Sequence, residues 1–306
     1  SMKQKTLKDI VSFAGVGLHT GCHVNVRLIP SGVDTGISFT RVDLPGAPSI
    51  KAKASSVVAT NYATSLGVDG TTVGTVEHLL ASFYGLGIDN VVVELDGPEV
   101  PVLDGSAELF IKMIEGAGIK ELDSTRKYLV VKRPIKVSEG DKYVMLMPAG
   151  DMQLTVDYSI DFSHPFLSKQ TFSTLFSAGV FKEEVASART FGFLRDVEML
   201  RANGLAKGGS LSNAVVISDT EVLNEGGLRY PDEFVRHKVL DMMGDLSLIG
   251  APIAGHLIAH RSGHELNLRL VEQVIKKASR WELVDLLSEE DSEREPRPFF
   301  QKAAIV

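Results

Sequence analysis

The chain has 306 residues, 44% of them hydrophobic and 23% charged, enough for one large domain or two of ordinary size. A formal net charge of −7 and a pI near 5.7 exclude a general basic field for nucleic acid or an anionic membrane, though local basic groups can still hold a phosphate. The single cysteine, Cys22, excludes an internal disulfide framework and any Cys-rich zinc ligation.

Residues 22–29 place Val24, Val26 and Leu28 on one face and Asn25 and Arg27 on the other, the period-two pattern of a strand. After Asp69-Gly70, residues 75–83 switch to helical spacing with Val76, Leu79, Leu80 and Phe83 apolar. Residues 90–95 predict a β-branched strand, and Ser106 is a fair N-cap for a helix ending near Gly116. The polar stretch 121–127 marks a boundary. Beyond it, strands over 128–137 and 142–147 flank Glu139-Gly140-Asp141 as a hairpin, and 152–160 is another strand. A helix over 196–202, a strand over 214–218 and a long helix over 231–248 follow, and His264 opens a last helix to about residue 280. Each half thus has several strands and about two principal helices. The expectation is an α+β fold of two similar domains, 1–124 and 125–287, with a disordered, charged tail over 288–306 that ends in an apolar terminus. No apolar core follows residues 1–5, and no apolar run reaches the roughly 18 residues that span a bilayer. A soluble, cytoplasmic protein without stable membrane insertion is therefore expected, and a monomer is the default expectation beside it.

The richest run is His237-Lys238-Val239-Leu240-Asp241, with Asp245 one turn further on. On a helix, positions i and i+4 share a face about 5–6 Å apart at Cβ, close enough for His237 and Asp241 to grip one ion. A hydrolytic zinc site needs three protein ligands and an open position for water. His78, on the other strong helix, is the best third ligand. Adjacent helical residues diverge by about 100°. Glu77 can therefore flank a water without being a ligand, where a general base must stand. Each feature alone has a plainer explanation: a satisfied core histidine, or an i,i+4 surface ion pair. Here the three polar residues sit among Val, Leu and Met, where burying them unpartnered costs several kcal/mol. His256 and His260 have strand spacing and read as polar strand residues. His264 opens a helix, whose dipole disfavours imidazolium. A carboxylate such as Asp245 can restore its charge and poise it as a general acid.

The motifs together resemble one family. Val76-Glu77-His78-Leu79-Leu80, Ala188-Arg189-Thr190-Phe191-Gly192-Phe193, Lys207-Gly208-Gly209-Ser210, Leu223-Asn224-Glu225, His237-Lys238-Val239-Leu240-Asp241 and Ser262-Gly263-His264 are similar to the zinc-dependent UDP-3-O-acyl-N-acetylglucosamine deacetylases. That family acts early in lipid A synthesis in Gram-negative bacteria. Gly15-Val16-Gly17-Leu18-His19-Thr20-Gly21 and the run from Val100 to Ala107 also match, so the resemblance spans about residues 4–287.

The resemblance implies helices sandwiched between two sheets. It also implies one catalytic Zn2+, with Fe2+ as the alternative, held by His78, His237 and Asp241. Glu77 would be the base that activates water, His264 the general acid and Asp245 the residue that holds it. Thr190 would stabilise the oxyanion, and Lys238 would reach the sugar or phosphate side. His19 would lie near the same site. Leu18, Phe191, Gly208, Gly209 and Val216 would border an acyl passage, and Phe162 would stack on the uridine. The partner is then the UDP-linked acylated glucosamine, met in the bacterial cytosol near the inner membrane. A processing protease would grip the apolar C-terminus. Two rivals stay open: a zinc amidase for another acylated amino-sugar, and a nucleotide-sugar or acyl-chain binding protein without turnover.

Overall fold

The computed structural model describes residues 3–165 and 167–285. It is α+β, with two larger sheets and the principal helices layered between them. The first sheet has five strands in the order Val11–Val16, His23–Pro30, Val91–Leu95, Ile37–Arg41 and Ser49–Lys51. In His23–Pro30 the expected alternation holds: Val24, Val26 and Leu28 point into the core and their neighbours face out. The second sheet has seven strands around Ile253–His260, which runs parallel to Leu154–Asp161 and Lys127–Val131 and antiparallel to Lys142–Met147.

The helix Glu77–Leu86 packs on the helix Glu233–Leu246, which in turn lies against Leu154–Asp161 and Lys169–Phe176. The helix His264–Lys276 covers Ile135–Glu139 and Lys142–Met147. Glu108–Ala117 rests on Val11–Val16. One apolar core runs through these layers. Gly87, at φ 72°, ends the Glu77 helix in a left-handed cap, its N–H reaching the Phe83 and Tyr84 carbonyls.

Several elements depart from the pattern reading. The stretch 128–137 is two strands, Lys127–Val131 and Ile135–Glu139, broken at Pro134, which has no N–H to give a ladder. The polar boundary around 121–127 is largely the strand Ile119–Thr125, paired antiparallel with Lys3–Leu7. Lys169–Phe176 and Trp281–Asp285 escape periodicity because each pairs along one side only and buries little. The last helix stops at Lys276, ahead of a 3-10 turn at Ala278–Arg280. Among the described residues no helix is long and apolar enough to cross a membrane. The expected tail and its protease handle lie outside the described residues.

Candidate metal centre and hydrolytic site

Glu77 and His78 open their helix in the core, 2% and 4% exposed. The helix meets Glu233–Leu246 through Gly244, where an added Cβ would fall 2.1 Å from the Glu77 carbonyl oxygen. Only glycine admits that approach, and it brings His78 beside the turn carrying His237 and Asp241.

His78 Nε2 lies 3.2 Å from Asp241 Oδ1, and His237 Nε2 lies 3.4 Å from the same oxygen. The imidazole rings stand edge to face, centroids 4.9 Å apart. One donor atom from each of the three residues falls within 4.8 Å of the others. A tetrahedral ion with bonds of about 2.0–2.1 Å needs donors about 3.3 Å apart, which is what these two contacts offer. His237 Nε2 and Asp241 Oδ1 are buried without a hydrogen-bond partner. Nδ1 of His237 donates to the Ala188 carbonyl at 2.9 Å, which leaves Nε2 as the bare lone pair a metal requires. Burial pushes the pKa of His78 down, so its imidazole is neutral. Burial alone would raise Asp241, but His237, His78 and His264 hold it well below the carboxylate range. Two imidazoles and one carboxylate converging on a point fit a divalent metal.

Glu77, Asp241 and His264 form a second cluster within the same span. His264 is already engaged, however. Its Nδ1 donates to Asp245 Oδ2 at 2.7 Å, and Asp245 also accepts from Asn267 Nδ2 at 2.9 Å and Thr64 Oγ1 at 2.7 Å. Burial would lower the pKa of His264; Asp245, Glu77 and Asp241 outweigh it and lift it to about 10. The ring is an imidazolium, and so a proton donor rather than a ligand. Its Nε2 stands 3.6 Å from Glu77 Oε1. Burial raises the Glu77 carboxyl to about 8, while the Thr64 N–H donates to its Oε2 at 3.1 Å. A carboxyl and an imidazole, each holding its proton more tightly than usual, thus face each other beside the cradle.

Two cavities of about 390 Å³ each serve this centre, and Tyr62 lines both. Phe162, Lys238 and His264 line the first, with Lys142 and Arg261 adding cations. Leu18, His19, Thr190, Phe191, Gly209 and Val216 line the second, which is apolar. Gly208 sits behind that wall: a Cβ there would meet the Gly17 carbonyl oxygen at 2.0 Å, and its N–H donates to the Leu18 carbonyl. All the expected site residues except Gly208 therefore meet at the cradle or in one of these cavities.

Pattern reading missed the supports. Buried Glu99 accepts from the backbone N–H groups of His19 and Thr20 and from the hydroxyls of Thr20 and Thr75, clamping the Gly17–Cys22 turn against the start of the Glu77 helix. Buried Glu233 accepts from the Arg189 backbone and guanidinium, fixing the segment whose Ala188 carbonyl orients His237. Asn267, three residues beyond His264 on one helix, was within reach of a spacing argument. Glu99 and Thr64 carry no such local signal.

An α+β fold that buries a metal-capable two-histidine, one-aspartate cluster beside an opposed carboxylate and imidazolium is that of a hydrolase. A family model for the LpxC family, UDP-3-O-acyl N-acetylglycosamine deacetylase, matches residues 4–276, and the chain belongs to that family. It is 49% identical over 284 residues to a UDP-3-O-acyl-N-acetylglucosamine deacetylase of Myxococcus xanthus, covering 93% of this chain and 90% of that one. A deacetylase of Citrifermentans bemidjiense is 49% identical over 92% of both chains, and one of Saccharophagus degradans is 46% identical over the full length of both. The motif resemblance is thereby borne out.

Proposed function

We propose that the chain hydrolyses the N-acetyl group of UDP-3-O-((R)-3-hydroxyacyl)-N-acetylglucosamine, giving the free amine and acetate, in lipid A synthesis. The observation that carries this is the pair of unpartnered buried atoms, His237 Nε2 and Asp241 Oδ1, converging with His78 beside Glu77. His78, His237 and Asp241 would hold one divalent ion, zinc with ferrous iron as the alternative. When bound, that ion supplies Lewis acidity and eases the ionisation of water. Glu77 accepts a proton from the attacking water as its oxygen bonds to the acetamide carbon. His264, held by Asp245, gives its Nε2 proton to the amine nitrogen as the C–N bond breaks. The Thr190 hydroxyl hydrogen-bonds the oxyanion formed between these steps.

Lys238, Lys142 and Arg261 supply cations for the diphosphate and sugar side, and Phe162 a face for the uracil. The apolar cavity bounded by Leu18, Phe191, Gly209 and Val216 suits the acyl chain, with His19 at its edge and Gly208 shaping the wall from behind. We also read residues 1–124 and 125–287 as two domains, because each larger sheet draws its strands from one side of that division. The reaction is placed in the bacterial cytosol.

Acetate release from the UDP-linked acylated amino-sugar tests the reading. Glu77→Ala removes the base and is expected to lower kcat by roughly 10²- to 10⁴-fold while the protein still binds one equivalent of metal. Wild type that releases no more acetate than this variant would leave only a binding protein. Faster turnover of a different acylated amino-sugar would favour the amidase alternative. Metal analysis of protein purified without added ions decides between zinc and iron.

A further inference from the structure

Thr64 touches the acid and base sides of the site at once. It lies in the segment between the strand Val57–Ala59 and the strand Ser65–Val68, 2% exposed. Its N–H donates to Glu77 Oε2 at 3.1 Å, and its carbonyl accepts from Val76 N at 3.2 Å, where the Glu77 helix begins. Its hydroxyl donates to Asp245 Oδ1 at 2.7 Å, across 181 positions of sequence, and the hydroxyl oxygen lies 3.2 Å from His264 Nδ1. The carboxylate of Asp245 thus has one oxygen accepting from Thr64, while the other accepts from His264 Nδ1 and Asn267 Nδ2.

We infer that Thr64 is a positioning residue for the deacetylase reaction: its hydroxyl fixes the plane of Asp245 so that Oδ2 aims His264 Nε2 at the space shared with Glu77. The inference rests on the deacetylase reading. A β-branched side chain suits the task because branching restricts its χ1 and so limits how far the hydroxyl swings. Removing the hydroxyl leaves Asp245 Oδ1 buried without a donor. The carboxylate can then turn, and the ring with it. The backbone N–H to Glu77 is untouched by the side chain, so a side-chain change isolates the acid branch.

Thr64→Val keeps the shape and deletes the donor. On metal-loaded protein at saturating substrate, kcat is expected to fall about 10- to 100-fold, the usual cost of losing a partner that orients a group at a metal site. KM and bound metal per chain are expected to hold. Thr64→Ser, which keeps the hydroxyl, is expected to restore most of kcat. In a His264→Ala background the Val change is expected to cost nothing further, because the group it acts through is gone. A purely structural role would instead lower metal occupancy and melting temperature and add in full to the His264 variant. Full kcat in Thr64→Val, no rescue by Ser, or additivity with His264→Ala each overturns the inference. If Val lowers metal occupancy, Thr64→Ala makes the same deletion with less bulk and is read by the same criteria. A wild-type protein that releases no acetate sinks the deacetylase reading itself, whereas an active wild type with an indifferent Thr64 sinks only this inference.

Discussion

Glu77 and His264 are opposed by environment more than by residue type. Burial holds the glutamate's proton up to about 8, and the surrounding carboxylates hold the histidine's up to about 10. A base must be ionised and an acid protonated, so activity should rise as pH climbs through the Glu77 transition and fall as it climbs through that of His264. A cation in the cradle draws both transitions downward by repelling protons. Asp245→Asn removes the carboxylate that contributes most to raising His264. The alkaline limb of kcat/KM should therefore move to lower pH, and the acid limb should follow to a smaller extent, because Asp245 is a lesser cause of the raised Glu77 carboxyl. An unmoved alkaline limb would show that His264 is not the titrating acid. At this scale the residues proposed to react were visible in the sequence, because a histidine, an aspartate and a Glu-His pair stand out in apolar helices. Glu99, Thr64 and Glu233 were not, since each acts on residues far away in sequence and none lies in a telling local pattern.

The two helices that carry the proposed ligands owe their close approach to Gly244. In Gly244→Ala the new methyl meets the Glu77 carbonyl, and the helices must part or slide. Overpacking of this kind costs about 1–3 kcal/mol. The expected outcome is a lower melting temperature together with weaker metal binding, seen by unfolding and by metal titration. Unchanged metal affinity would mean that the cradle tolerates the shift. Secondary structure followed the same division. His23–Pro30 was visible because its apolar face repeats at period two, and Glu77–Leu86 and Glu233–Leu246 because apolar residues recur at helical spacing along long runs, although both helices are buried almost all round. Ile119–Thr125 and Lys169–Phe176 were hidden, as a strand that is mostly exposed alternates weakly. Its pairing comes from backbone hydrogen bonds, which any residue but proline can make.

Across the whole molecule, His78 comes from one half of the chain and His237 and Asp241 from the other, so a bound ion joins elements that pack on each other. Stripping the metal should therefore lower stability as well as abolish acetate release. An ion at 100 times its Kd stabilises the folded state by about 2.7 kcal/mol. For a chain of this size that is a shift of several degrees in Tm, measured with chelator and then with zinc restored. A melting temperature indifferent to the metal would argue against the cradle. The sequence by itself determined the α+β composition, the two strong helices that bear the proposed ligands and the identities of the candidate reactive side chains, because hydrophobic period and residue chemistry are local properties. Only the tertiary structure decided that these side chains converge, which tautomer His237 presents, and what holds Asp245 and the Gly17–Cys22 turn. Those depend on contacts across up to 200 positions of chain, and long-range register is set by packing that no local pattern encodes.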